Sequence, residues 1–274
     1  MKKPKVSVIV STYNRLALLK EAIESVLDQT YTDYELLISD DHSTDGTQEY
    51  CREISAQNSK VKYVRNSTNL GMVGNWNSAL NQANGEYCSI LMDDDEWHPD
   101  FLETTVAVLD TNPKVGFTYV WILPVEISED GSRIEIISRR SNYKHYLTNK
   151  YLSSKTGLEK FILGELKVGL PSAVLFRKDN SYSFTYYGLD PGFWVDYLKN
   201  FDYYYINKPF CIRKEHAGIQ FSDSKPNKLY YERLIYITNN AYNHLLVNQQ
   251  TSRKINDQYR KRMSYLFTEL DKAN

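Results

Sequence analysis

Leu91-Met92-Asp93-Asp94-Asp95-Glu96-Trp97 decides how this chain is read: four consecutive carboxylates follow the apolar run Tyr87-Cys88-Ser89-Ile90-Leu91. That is the profile of a buried strand ending in charge. Packed like charges repel unless a cation or a hydrogen-bond network compensates, so such a cluster at the carboxyl end of a strand is a candidate site for a hard divalent metal. Acidic residues are also enriched at helix starts, and the competing reading makes Asp94 to Glu96 a surface turn that caps the helix after Pro99. What the rest of the chain brings to the same place decides between them.

Upstream, Val6-Ser7-Val8-Ile9-Val10 is β-branched and apolar and runs into the polar Ser11-Thr12-Tyr13-Asn14, a strand followed by a loop. Leu16, Leu19, Ile23, Val26 and Leu27 then recur at helical spacing. Glu35 to Ser39 predicts a second strand with Asp40-Asp41-His42-Ser43 at its end, and Asp45, three residues before Gln48, predicts a helix cap. Val61 to Val64 is a third strand, and the loop Asn69-Leu70-Gly71-Met72-Val73-Gly74-Asn75 leads into a helix around Trp76 to Gln82. Strands alternating with helices on this beat indicate a doubly wound α/β domain with a largely parallel sheet, in which ligands bind at the carboxyl ends of the strands. Thr12-Tyr13-Asn14, Asp40-Asp41 and Asp93 to Glu96 all fall at such ends. That convergence favours a site over a simple cap.

Downstream the pattern changes. Phe101, Leu102, Val106 and Leu109 predict a helix, Val115 to Ile127 is a long apolar run, and Ser128 to Ser132 is a hairpin-type turn into Arg133 to Ile137. The polar, tyrosine-rich stretch from Arg139 to Lys155 has no period and reads as a long loop, either a binding segment or plain disorder. Leu158 to Leu163 is a short helix, Ser172 to Phe176 a buried strand, and Tyr203 to Ile206 and Phe210 to Ile212 are two late strands around Pro209. Two helices follow from Lys228 on, broken near Asn248 to Ser252. The second carries the basic run Arg253, Lys254, Arg260, Lys261 and Arg262, which is either a solvated face or a surface lying on an anionic membrane.

The 274 residues suffice for a sizeable core, and 33 Lys plus Arg against 34 Asp plus Glu give no overall attraction to nucleic acid. Cys51, Cys88 and Cys211 are widely spaced and suggest neither a zinc site nor a disulfide framework. The apolar run after Met1 to Lys5 is too short for a signal peptide, and no stretch is long enough to cross a bilayer. The sequence thus predicts a soluble, cytoplasmic protein; if the basic carboxyl-terminal helix is a membrane surface rather than a solvated face, the contact is peripheral and on the inner face. It gives no oligomeric state.

Four stretches together resemble the inverting glycosyltransferases of family 2, which have the GT-A fold: Val6 to Arg15, Glu35 to Thr47, Asn69-Leu70-Gly71 continuing through Asn77 to Leu80, and Gly85-Glu86-Tyr87 through Asp93-Asp94-Asp95 to Pro99-Asp100. The resemblance covers roughly the first 110 residues. It implies a mixed, mostly parallel sheet with helices on both faces: a catalytic domain over 1–225, with a nucleotide-sugar-binding half at 1–110 and an acceptor-binding half at 111–225, then a helical extension at 226–274.

The resemblance also implies a donor site of Thr12, Tyr13, Asn14, Arg15, Asp41, Gly71, Asn75, Asn77, Asp93 and Asp94, in which Asp41 and the Thr12-Tyr13 loop hold base and ribose. Counted back from Pro99, the family's metal-binding Asp falls on Asp94 and the following Asp on Asp95; His216, in Arg213-Lys214-Glu215-His216, matches a late His near the metal or diphosphate. The implied cation is Mn2+ or Mg2+. Asp190, in Tyr187-Gly188-Leu189-Asp190-Pro191, matches the catalytic base, with Asp196 as the fallback; Asp before Pro is equally an ordinary N-cap. Two positions depart from the family: Met92 stands where its motif has a first Asp, leaving Asp93 as substitute, and Trp76 stands where many members carry Arg. The implied activity is hexosyl transfer from a nucleotide-diphosphate sugar, UDP foremost, to a hydroxyl of a glycan or lipid-linked acceptor in surface polysaccharide biosynthesis. The two departures keep open a non-catalytic nucleotide-sugar-binding or scaffold module. Tyr143, Tyr146, Tyr151, Tyr186, Tyr187 and Trp194 are candidates to stack on sugar rings, among 23 tyrosines whose default place is core or surface.

Overall fold

In a computed structural model, residues 3–128, 132–136, 148–166, 170–185, 189–216 and 228–273 are described, the side chains of 189–190 and 215–216 excepted. The first half alternates as the apolar pattern predicts: β1 (Val6–Thr12), α1 (Leu16–Leu27), β2 (Tyr34–Asp40), α2 (Thr47–Gln57), β3 (Val61–Arg65), α3 (Gly71–Gln82) and β4 (Tyr87–Met92). β5 (Asp95–Trp97), α4 (Phe101–Thr111), β6 (Val115–Ile127), β7 (Arg133–Glu135), β8 (Lys150–Leu152) and α5 (Ser154–Ile162) follow. A 3-10 turn at Pro171–Ala173, β9 (Val174–Arg177), α6 (Leu189–Leu198), β10 (Asp202–His216), α7 (Lys228–Val247) and α8 (Arg253–Lys272) complete the chain.

One sheet runs in the order β3-β2-β1-β4-β9-β6-β10-β5, with β7 on β6 and β8 on β10. Strands β3, β2, β1 and β4 are mutually parallel, as are β6 and β10; β9 is antiparallel to both β4 and β6. Every residue of β1 and β2 is buried, so both faces of the sheet are covered there. In α1 the covering stripe is Leu19, Ala22, Ile23 and Val26, three and four apart.

The register positions the site. Thr12 lies level with Asp40 and Ser11 with Met92, so the carboxyl ends of β1, β2 and β4 finish on one line. The next residue along each strand, Tyr13, Asp41 and Asp93, is delivered to the same edge. An aromatic cluster ties this edge to the second half of the chain: Phe184 stacks on Phe193 at 4.0 Å between ring centroids and meets Trp76 edge-on at 5.0 Å, while Trp194 packs against Phe117 and Phe176. α7 and α8 pack on each other and on α5, and α7 also on α6.

Several local expectations give way. The two strands expected around Pro209 are one strand of 15 residues, with a register shift between Ile206 and Cys211 that accommodates the proline, which cannot donate to the ladder. Asp45 does not cap α2, since Gly46 (φ 90°) occupies that place; its carboxylate accepts from Leu16 N (2.9 Å) and Thr47 N (3.2 Å), joining the starts of α1 and α2. The turn expected over Asp94 to Glu96 contains β5 instead, paired antiparallel with β10 from Cys211 to Arg213. Within the stretch read as a loop, 139–147 lie outside the described residues, as do 137 and 138 before it, and β8 and the start of α5 fill the end.

Candidate functional site

A cleft of about 310 Å3 opens where β1, β2 and β4 end, against the start of α3. Its walls include Thr12, Tyr13, Arg15, Asp41, Gly71, Asn75, Met92 and Asp93. Residues up to 81 positions apart in sequence meet here because the parallel strands share a register.

Asp41 is fixed by three bonds. Its backbone N–H donates to Thr12 O (3.0 Å), and its carboxylate Oδ1 accepts from Leu70 N (2.8 Å) and Asn66 Nδ2 (2.9 Å). Oδ1 thereby holds the loop that enters α3. Gly71 adopts φ +71°, a left-handed backbone that a side chain would strain, and its N–H is taken by Asn69 Oδ1 at 2.9 Å. Tyr13 and Met72 are half exposed at the mouth and supply apolar surface.

The acidic stretch divides by environment. Asp93 is buried in the cleft wall, where Thr12 Oγ1 donates to Oδ2 at 2.8 Å and Arg15 Nη1 to Oδ1 at 3.2 Å. Burial pushes its carboxyl up to about 6, a rise that the Thr12 bond and the Arg15 charge oppose. Asp94 is a third exposed and shares the same Arg15 Nη1, at 3.1 Å from Oδ2. Asp95 points the other way: its buried Oδ2 accepts from Ser172 Oγ, and burial, with the Asp94 charge beside it, pushes its carboxyl up to about 7. Glu96 is bound by both Nη atoms of Arg133 (2.6 and 2.8 Å) and by Lys214 Nζ (2.9 Å), and Lys214 also reaches Glu21 of α1. Asp95, expected beside Asp94 as a metal ligand, is thus turned into the core, and Glu96 belongs to an ionic joint rather than a turn.

The structure spreads the expected donor residues over two roles. Thr12, Tyr13, Arg15, Asp41, Gly71, Asn75 and Asp93 line the cleft. Asn75, though in the wall, spends its amide on Ser39 O (3.0 Å), Ser39 Oγ (2.6 Å) and Asn66 Nδ2 (3.0 Å). Asn14, at φ 53°, bridges loops by accepting from Thr44 N (2.7 Å) and donating its own N–H to Ser43 Oγ (2.9 Å). Asn77 clamps the backbone of Phe184 through both amide atoms, at 2.8 and 2.9 Å, away from the cleft. Trp76 is buried, with Nε1 donating to Ser11 Oγ at 3.0 Å behind the cleft wall.

Asp190 lies in the first turn of α6 and His216 at the end of β10; the side chains of both lie outside the described residues, as do Tyr143, Tyr146, Tyr186 and Tyr187. Asp196, the fallback base, is tied to Lys199 (2.6 Å) and to Asn240 of α7 (3.1 Å). Trp194 is core rather than a sugar platform, and Tyr151 is exposed and donates to Asp202. Ser172 escaped the sequence reading: it accepts Met92 N (3.0 Å), donates to Asp95 and takes Trp97 Nε1 on its carbonyl (2.6 Å), bracing the acidic stretch from below. A serine inside an apolar run carries no signal of that.

Among the described residues no three His, Cys, Asp or Glu side chains are grouped to hold a metal by themselves. Asp94 is not among the residues lining the cleft, but its partly exposed carboxylate lies beside the cleft on Arg15. One or two carboxylates completed by phosphate oxygens is an ordinary way to hold Mg2+. The donor set therefore fits a cation that arrives with a diphosphate, held by Asp94.

Residues 7–166 match the family model described as glycosyl transferase family 2. The chain is 31% identical over 210 residues to the GalNAc(5)-diNAcBac-PP-undecaprenol beta-1,3-glucosyltransferase of Campylobacter jejuni, covering 76% of this chain and 64% of that one. It is 30% identical over 210 residues, 76% of each chain, to the UDP-Glc:alpha-D-GlcNAc-diphosphoundecaprenol beta-1,3-glucosyltransferase WfgD of Escherichia coli. With the putative glycosyltransferase EpsE of Bacillus subtilis it shares 41% over 108 residues, 39% of either chain. The chain thus spans less than two thirds of the Campylobacter and Bacillus relatives. Among solved structures, residues 1–349 of TarS from S. aureus superpose with a TM-score of 0.67 over 94% of this chain and 71% of that one, at 19% identity, a likeness of fold.

Proposed function

This chain belongs to glycosyl transferase family 2 and has the GT-A fold, and on that premise we propose that it moves a hexose from a UDP-sugar to a hydroxyl of a lipid-linked glycan, with inversion, in surface polysaccharide biosynthesis. The observation that carries this reading is the convergence of Thr12, Arg15, Asp41 and Asp93 on one cleft at the carboxyl edge of the sheet. UDP is favoured by the name of WfgD, a UDP-glucose enzyme, and a lipid-linked acceptor by the undecaprenol-diphosphate substrates in the names of both long-matching relatives.

Each residue has a defined task in this reading. Asp41, already held by Leu70 and Asn66, turns its remaining lone pairs to the base, while Tyr13 and Met72 cover the ring. Asp93 takes the ribose place that Met92 leaves empty, oriented by Thr12. Arg15, the guanidinium of the cleft, faces the diphosphate; Trp76 has no such part, because its indole is spent on Ser11 and Phe184. Asp94 and His216 are the residues that would hold Mn2+ or Mg2+, and the cation would supply charge to offset the departing diphosphate. Asp190 accepts the proton of the acceptor hydroxyl as that oxygen attacks the anomeric carbon from the face opposite the diphosphate, and a single displacement of this kind inverts configuration. The Met92 and Trp76 departures, which left a non-catalytic module open, have these local accounts.

The domain division proposed is a catalytic unit over 1–225 and a helical extension over 226–274, the latter packing on α5 and α6. No helix among the described residues is long and apolar enough to cross a membrane, so contact with a lipid-linked acceptor at the inner face would be peripheral. A thermal-shift screen of UDP, GDP, dTDP and CMP sugars with and without Mn2+ tests the reading. UDP-sugars are expected to stabilise most and Mn2+ to add to the effect; failure of every nucleotide to stabilise would remove the donor site.

A further inference from the structure

Resting on the lipid-linked acceptor proposed above, we propose that the outer face of α8 and the α7–α8 corner form a docking surface for an anionic bilayer. α8 carries six cations and three carboxylates in a chain whose net charge is −1. Its inner stripe, Ile255, Met263 and Leu266, is buried against the neighbouring helices. Arg253 and Arg260 are seven residues apart, as are Lys254 and Lys261, and spacing by seven returns a helix to nearly the same side. All four are exposed, so they form two cationic rows on the side away from the core, with the exposed Asp257 between them and the net charge of that group still positive.

Arg262 interrupts the basic run and is not part of this face. It is half-buried, lies over the Phe161 ring and donates to Ile162 O at 3.2 Å, the end of α5. The cations within the run thus have two fates, and Arg262 is the structural one.

The corner supplies the second ingredient. Gln249 N and Gln250 N bond back to Leu246 O (3.0 Å) and Leu245 O (2.8 Å), Gln249 takes φ 56°, and Ser252 Oγ caps Ile255 N. The backbone there is closed by hydrogen bonds at both helix ends. Yet it presents Leu246 at 50% and Val247 at 80% exposure, six residues before Arg253. Tyr265 and Phe267 add exposed rings farther along α8. An apolar tip beside cationic rows matches a bilayer, where acyl chains take the tip and lipid phosphates the cations. A glycan offers nothing to the apolar tip. A second copy docked face to face would oppose cations with cations.

The test uses the full chain with vesicles of phosphatidylcholine alone and of phosphatidylcholine with phosphatidylglycerol, read by co-sedimentation. The expected result is binding to the anionic vesicles that weakens with salt, and little to the neutral ones. Arg260→Gln with Lys261→Gln should weaken it by roughly fivefold per cation removed, and Leu246→Ser with Val247→Ser should weaken it at unchanged charge. All four side chains are exposed, so the thermal midpoint should hold. Equal binding to both vesicle types, or anionic binding untouched by the charge variant, overturns the proposal. So does a concentration-dependent dimer in sedimentation velocity that Val247→Ser abolishes, which assigns the corner to a second copy. UDP-sugar binding measured without vesicles keeps the two readings apart: a wild-type chain that binds the UDP-sugar but neither vesicle type overturns the docking surface alone.

Discussion

Arg15 and Asp94 are held 3.1 Å apart, Nη1 to Oδ2, at the cleft, and the same nitrogen reaches Asp93 at 3.2 Å. A single guanidinium therefore compensates two adjacent carboxylates. In the proposed reading, a divalent cation on Asp94 would compete with Arg15 for that oxygen, and displacing the guanidinium would free it for a diphosphate. Arg15→Met is expected to tighten Mn2+ binding to the free protein while weakening metal-free UDP binding by roughly tenfold, the scale of one charge-assisted hydrogen bond at a partly exposed site. Calorimetric titration of each ligand measures both; weakening of the two in parallel would mean that Arg15 and the cation do not compete.

Asp94 and Asp95 are neighbours with opposite surroundings. Asp94→Asn should abolish the Mn2+-dependent part of nucleotide binding. Asp95→Asn should leave it within about twofold, since the buried Asp95 carboxyl faces Ser172 and a neutral amide can keep that bond. Thermal shifts with UDP, with and without Mn2+, separate the two variants.

Trp76 fills a buried place between Ser11 and Phe184. Trp76→Arg, which installs the residue the family resemblance leads one to expect, should destabilise rather than restore anything, because it buries a charge with no partner and empties an aromatic site. The expected loss is about 3 kcal/mol or more in urea unfolding.

Glu35 gives a pH signature at the far end of the sheet. Burial alone would raise its carboxyl, but donors from Lys62 (2.6 Å), Ser7 (2.5 Å) and Asn84 N (2.7 Å) outweigh that and hold it below the ordinary glutamate range. A depressed folded value means stability that is fully present above the unfolded value near ~4.3 and is lost as pH falls through the folded one. Glu35→Gln should cost about 1–3 kcal/mol at pH 7, with the gap to wild type closing below about pH 4. A gap constant from pH 7 to 3 in urea unfolding would contradict the assignment.

Much of the fold of the first half was legible because a buried parallel strand has no polar face: Val6 to Val10 and Leu36 to Ile38 announce themselves, and the polar residues that follow mark the carboxyl ends of the strands. That Thr12, Asp41 and Asp93 meet in one cleft follows from register. The direction of β9 was not legible, since a short apolar run looks the same either way up. Asp95 and Trp194 were misplaced for a related reason. A carboxylate next to the metal Asp, or a tryptophan next to the candidate base, is put inside or outside by tertiary packing, here by Ser172 and by Phe117 and Phe176. β10 escaped because Pro209 signals a break, and only the irregular register against β6 lets one strand pass through it.

If the cleft between Thr12, Asp41 and Asp93 is the donor site, Asp94 must couple it to a divalent cation. Calorimetric titration of a UDP-sugar into the wild-type chain, with and without Mn2+, and into Asp94→Asn reads both halves of that statement at once. One saturable site is expected, which Mn2+ tightens in the wild type and not in Asp94→Asn. Absence of saturable binding, or Mn2+ tightening that survives Asp94→Asn, would contradict it.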